Sequence, residues 1–235
     1  MAAPAFRYAS SELDALASAR NYYTSLMWYF APHLGPRVME VGAGVGTFAE
    51  YLRAESRVEQ LTLVEPAVNN GPALRARFRE DPRVRVVAGY LDDAAAPGSQ
   101  DTVVAVNVLE HVADDQAFLR TARETLAPAG TLLLFVPALQ GIYGTLDAAF
   151  EHHRRYGRAQ LRDALTGAGF RVGELRFSNS LGVLSWFLAG RVMRRTTLRA
   201  GDVRLYDRLI VPWLSRIERR VRPPVGQSLI AIAHA

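Results

Sequence analysis

The sequence predicts an α/β fold: a mostly parallel sheet of seven strands covered by helices on both faces. Three observations carry this. Short apolar runs alternate with Ala- and Arg-rich helical patterns along the first half of the chain. The first run ends in a glycine-rich turn that opens a helix. The 235 residues, 49% of them hydrophobic, are enough to bury a sizeable core.

Residues 8–30 mix aromatic and small apolar side chains without Pro or Gly and read as one or two helices, stopped by Pro32, Gly35 and Pro36. Strands are expected at 37–41, 61–64, 84–87, 102–106 and 131–136, with helices such as 73–78 and 116–126 in the connections. Crossovers of that kind are right-handed and make neighbouring strands parallel. A further helix at 161–168 is closed by Gly169 and followed by a strand at 170–177. The last strand, 228–233, is entered through Pro223-Pro224-Val225-Gly226. Two segments break the alternation. Residues 138–157 join a strand to a helix with 20 residues, and long loops tend to carry function. Residues 178–222 insert about two helices before the last strand. One domain spans 1–235: a helical cap at 1–36, a core at 37–177, a helical insert or lid at 178–224 and the last strand at 225–235.

Composition narrows the chemistry. No cysteine is present, which excludes disulfides, thiolate metal sites and a cysteine nucleophile. The N-terminus lacks a basic region followed by an apolar run, so no signal peptide is read and a cytoplasmic protein is expected. The apolar stretch at 181–190 is too short to cross a bilayer and meets Arg191 at once. All 28 basic residues are arginine, as GC-rich codon usage would give, and the net charge is +5. That charge is localised. Residues 191–222 hold ten arginines against Asp202, Asp207 and Glu218, a net of +7, which leaves −2 for the rest.

The sharpest motif is Glu40-Val41-Gly42-Ala43-Gly44-Val45-Gly46, at the end of the first strand. Glycines there let the backbone turn tightly and approach a ligand. A dinucleotide loop would place its third glycine near position 47, which is Thr47. Glu40 would also repel a pyrophosphate at the helix start, whereas a carboxylate suits a ligand with an ammonium group. This motif resembles the first motif of the class I S-adenosylmethionine-dependent methyltransferases. The stretch DTVVAVNVLEHV at 101–112 resembles the fourth strand and following turn of the branch containing ubiquinone- and menaquinone-biosynthesis methyltransferases, and 126–132 matches that branch's turn into strand five.

The resemblance implies a Rossmann-like sheet whose last strand is antiparallel, with S-adenosylmethionine bound across the carboxyl ends of the first strands and S-adenosylhomocysteine as product. It places Glu40, Gly42, Ala43 and Gly44 at the cofactor, Glu65 on the ribose hydroxyls, Pro66 beside the adenine, and Tyr90 and Leu91 at the adenine contact. Asn107 falls where the family contacts the methionine end of the cofactor, with a turn cap as its plain alternative. Glu110 reads as a helix-start carboxylate.

Methyl transfer is an in-line displacement, and a protic acceptor gains from a general base. The base candidates are His152 and His153, in Glu151-His152-His153-Arg154-Arg155-Tyr156, which resembles a His-x-Arg-Arg-Tyr element of this branch. Asp147 or Tyr156 would orient the base or bind acceptor, and His111 would line the site. The alternative is a structural cluster that ties the loop to the N-terminal helices. Adjacent histidines do not share one face, so no metal is expected. His33 and His234 read as surface residues.

The acceptor pocket is expected from the N-terminal helices (Tyr8, Tyr22, Tyr23, Trp28), the 138–157 loop and the insert. An apolar body with an anionic group would suit the insert's mixture of apolar residues and arginines, whether in a natural product or a lipid- or prenyl-like molecule. The basic segment also suits peripheral contact with an anionic membrane. Nucleic acid is disfavoured, because no base-reading module and no Asn/Asp-Pro-Pro-aromatic motif is present. Two rival functions remain: a nicotinamide-dependent oxidoreductase, and a non-catalytic binding protein on the same fold.

Overall fold

The computed structural model describes residues 6–8 and 12–235. Residues 9–11, inside the helical stretch expected at 8–30, lie outside the described residues. Within that stretch the chain forms α1 (Glu12–Leu16) and α2 (Arg20–Phe30). The alternating part follows as β1 (Arg37–Val41), α3 (Ala49–Ala54), β2 (Gln60–Glu65), α4 (Gly71–Phe78), β3 (Val84–Ala88), α5 (Leu91–Ala94), β4 (Gln100–Val106), α6 (Asp115–Thr125) and β5 (Leu126–Pro137). The remainder comprises α7 (Thr145–Ala149), α8 (Arg158–Gly167), β6 (Arg171–Ser178), α9 (Gly182–Phe187), α10 (Ala200–Leu209), α11 (Val211–Arg220) and β7 (Ser228–His234).

The seven strands lie in the order β3-β2-β1-β4-β5-β7-β6. The first five are mutually parallel, and β7 runs antiparallel between β5 and β6. The Rossmann-like sheet read from the sequence is the one observed. Successive side chains alternate between its faces, as a pleated strand requires. Leu132 and Leu134 of β5 pack with α6 and α8 on one side. Leu133 and Phe135 pack with α2 and α3 on the other. Strand order reverses between β1 and β4, so the crevice for a ligand opens at their carboxyl ends.

Three details differ from the sequence reading. Strand β5 begins at Leu126 because its pairing with β4 slips: Gln100 faces Leu126 while Thr102 faces Thr131. The intervening bulge holds Ala129 at φ 64°. His234 is not a loose terminal residue; it closes β7 opposite Thr131, with Nδ1 3.3 Å from that hydroxyl. The insert contains three α-helices and a π turn at Leu188–Val192, rather than two helices. The π turn sits where Gly190 lies against Gly144: a Cβ at 144 would meet the Gly190 backbone at 2.9 Å.

The insert is bound to the core through its own acids. The position before α2 is Ala19, which offers no capping side chain. Asp207 of α10 supplies the cap, accepting from the backbone N–H of Tyr22 at 2.8 Å and of Asn21 at 3.1 Å. Glu218 of α11 accepts from the N–H of Asn179 at 2.9 Å and from the N–H and hydroxyl of Ser180 at 2.8 Å each. Both acids are buried.

Candidate active site

Two cavities meet at the carboxyl ends of β1 and β4. The first, about 460 Å³, is lined by Glu40, Gly42, Ala43, Gly44, Glu65, Pro66 and Asn107, and by Asn70, which sequence reasoning missed. The glycine loop needs its glycines. Gly42 has φ 72°, and a Cβ there would stand 2.5 Å from Val108 Cγ2. Gly44 donates its N–H to Glu65 Oε2 at 2.7 Å, while Glu65 Oε1 accepts from Ala67 N–H at 2.9 Å and Asn70 Nδ2 at 3.3 Å. Glu65 therefore braces the loop and the turn after β2 together while lining the cleft.

Glu40 is the unusual group. It is 3% exposed, and its Oε2 has no hydrogen-bond partner among the described residues. Burial, and then the neighbouring Glu65 charge, push its carboxyl well above the usual carboxylate range. A cleft whose deep end holds an unsatisfied carboxylate, with glycine backbone beside it and a second acid above, fits a ligand carrying an ammonium and a ribose. It does not fit a phosphate. S-adenosylmethionine has both groups, so Glu40 would hold its amino group and Glu65 its ribose.

The N-terminal segment covers this cleft. Val68 N–H donates to Phe6 O at 3.0 Å, and Tyr8 and Asn69 exchange two hydrogen bonds of 3.0 Å. Phe6, Tyr8, Leu13 and Tyr23 line the cavity as a result. Tyr8 and Tyr23 thus line the cavity at the glycine loop rather than the acceptor pocket expected for them. Trp28 lies outside both cavities, half-exposed under the Arg219 guanidinium. Tyr90 and Leu91 are not in the cleft either. Tyr90 caps α5 with its side chain 59% exposed, and Leu91 is buried in the core behind the sheet.

The second cavity, about 400 Å³, lies under the insert and shares Asn107 and Leu16 with the first. Tyr22, Leu146, Trp186, Leu188, Met193 and Val203 give it an apolar wall, and Arg195 and Arg199 lie on its lining. His152 lines it too, whereas His153 and His111 line the cofactor cleft. The adjacent pair His152 and His153 therefore points into different cavities. His111 and His152 meet edge to face with ring centres 4.8 Å apart and form part of the partition.

Asp147 organises His152. Its Oδ1 lies 3.0 Å from His152 Nδ1 and 2.7 Å from the Arg155 guanidinium. Its Oδ2 accepts from Gly144 N–H at 2.9 Å and Trp186 Nε1–H at 3.0 Å. Burial would raise this carboxyl, yet the bonds from His152, Arg155 and Trp186 outweigh it and hold the pKa at about 2. An ionised Asp147 fixes the His152 tautomer with its proton on Nδ1, which leaves Nε2 as the basic nitrogen. Arg155 is itself buried, donating to Ala138 O at 2.6 Å and Gln227 O at 2.8 Å. His111 is held neutral: burial, then the neighbouring His152, lower its pKa to about 3.

Tyr156, the other candidate from the loop, does not reach a cavity. It is fully buried, donating to Asp115 Oδ2 at 2.9 Å, and burial followed by that carboxylate raises its pKa. Tyr156→Phe is expected to lower stability by about 1–2 kcal/mol and to leave methyl transfer unchanged. Chemical denaturation beside a turnover assay checks both. A larger effect on turnover would return Tyr156 to the chemistry.

Against this geometry, a profile of the methyltransferase domain family matches residues 8–175. The chain is a member of that family. A ubiquinone biosynthesis O-methyltransferase of Xanthomonas campestris pv. campestris is 30% identical over 181 residues, covering 69% of this chain and 72% of the relative. Among solved structures, an S-adenosylmethionine-dependent methyltransferase from Mesorhizobium loti superposes with TM-score 0.62 at 14% identity, over 92% of this chain and 98% of the other. A Haemonchus contortus phosphoethanolamine N-methyltransferase 2 in complex with S-adenosyl-L-methionine gives TM-score 0.62 at 18% identity, over 91% of this chain and 52% of the other. The methyltransferase uses S-adenosylmethionine, and the nicotinamide reading of the glycine loop falls away.

Glu110, His111 and His152 each present a ligand atom, all within 4.8 Å of one another. Asp147, Glu151, His152 and His153 are neighbours in the sequence, whereas His111 joins His152 only through a tertiary contact.

Proposed function

We propose that this methyltransferase methylates the oxygen of a hydroxyl-bearing small molecule with an apolar body, and that His152 is the general base. The observation that carries the proposal is the Asp147–His152 pair on the wall of a cavity that adjoins the cofactor cleft at Asn107. When bound, S-adenosylmethionine supplies an electrophilic methyl group. The protein's share is to hold the acceptor oxygen in line at Asn107, exclude water beneath the insert, and take the hydroxyl proton on His152 Nε2. Asp147 keeps its own charge and stabilises the imidazolium that results. An acceptor of phenolic or quinol type agrees with the O-methyltransferase relative and with the apolar wall. An anionic substituent would meet Arg195 and Arg199. A cavity of about 400 Å³ is in the range of small-molecule sites. The N-terminal helices, the 138–157 loop and the 178–224 insert are thus acceptor- and cofactor-covering additions to the 37–177 core. A small molecule, not nucleic acid, is the partner proposed.

The test is transfer of a labelled methyl group to a panel of phenols, catechols and amines, each with and without an alkyl or prenyl tail. Tailed hydroxyl compounds should be labelled and amines should not; the reverse order would overturn the proposal.

A second reading is favoured by the closeness of Glu110, His111 and His152: a divalent cation on these three would make His152 a ligand and would lower the acceptor's pKa directly. Chelator decides between them. The base reading expects full activity after dialysis against EDTA. Loss of activity, restored by a divalent metal, would favour the metal.

A further inference from the structure

We propose that the outer face of α10–α11 docks on an anionic lipid bilayer, bringing the acceptor cavity behind it within one helix of the membrane; the role given to the cavity rests on the acceptor reading above. The inner face of the two helices is accounted for. Val203, Tyr206, Asp207 and Val211 line the acceptor cavity, and Leu214 and Glu218 are buried. The outer face is not. Leu205, Leu209, Trp213, Ile217 and Val221 recur every fourth residue and are 60%, 56%, 43%, 49% and 61% exposed. Large apolar side chains in such a run are not expected on a surface that meets only water.

Charge says what covers them. Arg204, Arg208, Arg216 and Arg220 each stand one residue before Leu205, Leu209, Ile217 and Val221, the row being interrupted only at Pro212 before Trp213, and all four are exposed. None has an ion pair among the described residues. The segment's three acids cannot neutralise them. Asp207 and Glu218 are turned inward onto backbone N–H groups, and Asp202 is paired with Arg195. The outer face is therefore purely basic as well as apolar. A second copy of this face would bring like charges together. A surface that is apolar within and anionic at its rim accepts both features, with Trp213 at the interface and guanidinium groups on phosphates. No helix among the described residues is long and apolar enough to cross a membrane, so the contact is peripheral.

The decisive experiment is co-sedimentation of the full chain with phosphatidylglycerol–phosphatidylcholine vesicles and with phosphatidylcholine vesicles alone. Leu209→Glu and Ile217→Glu serve as variants, since neither residue lines a cavity. The expected result is binding to the anionic vesicles only, weakened by added salt and reduced about ten-fold or more in each variant. S-adenosylhomocysteine affinity should be unchanged, which shows that the variants are folded. No sedimentation at low salt, or equal sedimentation of the variants, would overturn the proposal. So would a wild-type dimer in light scattering that the variants dissociate while vesicles are ignored. Vesicle binding without turnover on any tailed acceptor would overturn the acceptor reading and leave the membrane contact standing.

Discussion

Glu40→Gln should bind S-adenosylhomocysteine about thirty-fold more weakly than the unaltered chain, and the ligand-free variant should unfold at a higher temperature. Both effects come from one buried carboxyl. In the free protein it lies 3% exposed beside Glu65 with one oxygen unpartnered, so its ionised form is disfavoured and its pKa stands well above that of an unfolded glutamate. A group with a raised folded pKa favours folding only while it is protonated. As pH climbs from the unfolded value through the folded one, ionisation becomes more costly in the folded chain and stability is lost. Glutamine removes that loss, so the gain in melting temperature should grow with pH across the same window and then level off. Cofactor affinity runs the other way. An ammonium group is attracted by the ionised carboxylate, so wild-type affinity should rise with pH through the raised pKa, while the glutamine variant shows no such rise. Calorimetric titration and thermal melts over pH 5–9 check both signs. Equal affinity in the two proteins would remove Glu40 from the cofactor.

His152→Gln should lower turnover by about 10²- to 10⁴-fold, the usual share of a general base, and leave cofactor affinity unchanged. His111 does not take over as base, because burial and the neighbouring His152 lower its pKa to about 3. Asp147→Asn is a poorer test. It also strips the counter-charge from buried Arg155, at a cost of about 3–5 kcal/mol, so lost activity could reflect a disordered loop. Asp147→Asn should accordingly show both a fall in melting temperature and a fall in rate, where His152→Gln shows only the second.

The strands were legible in the sequence because a parallel sheet buried on both faces must be written as short apolar runs, and Val103 to Ala105 or Leu132 to Phe135 leave no other reading. The glycine loop was legible for the same local reason: Gly42 at φ 72° beside Val108 tolerates no other residue, with Glu40 just before it and Glu65 at the end of the next strand. What escaped was long-range. Asp147 is tied to His152 within one loop, but Trp186, which donates to the same carboxylate, lies 39 residues away. His111 reaches His152 only because the turn after β4 and the loop after β5 converge at the carboxyl ends of those strands. The third insert helix escaped because the break between α10 and α11 falls at Ile210, before Pro212, with no glycine to mark it. Tyr90 kept its place in the order of motifs, yet as the cap of α5 its side chain faces solvent, a matter of backbone direction that motif spacing does not encode.

The proposed mechanism divides labour across Asn107, with cofactor binding on the Glu40 side and proton transfer on the His152 side. Single-turnover methyl transfer from saturating S-adenosylmethionine, in wild type and His152→Gln, tests it most directly. The predicted result is a transfer step slowed at least about a hundred-fold in the variant at unchanged cofactor occupancy. An equal single-turnover rate in the two proteins would contradict it.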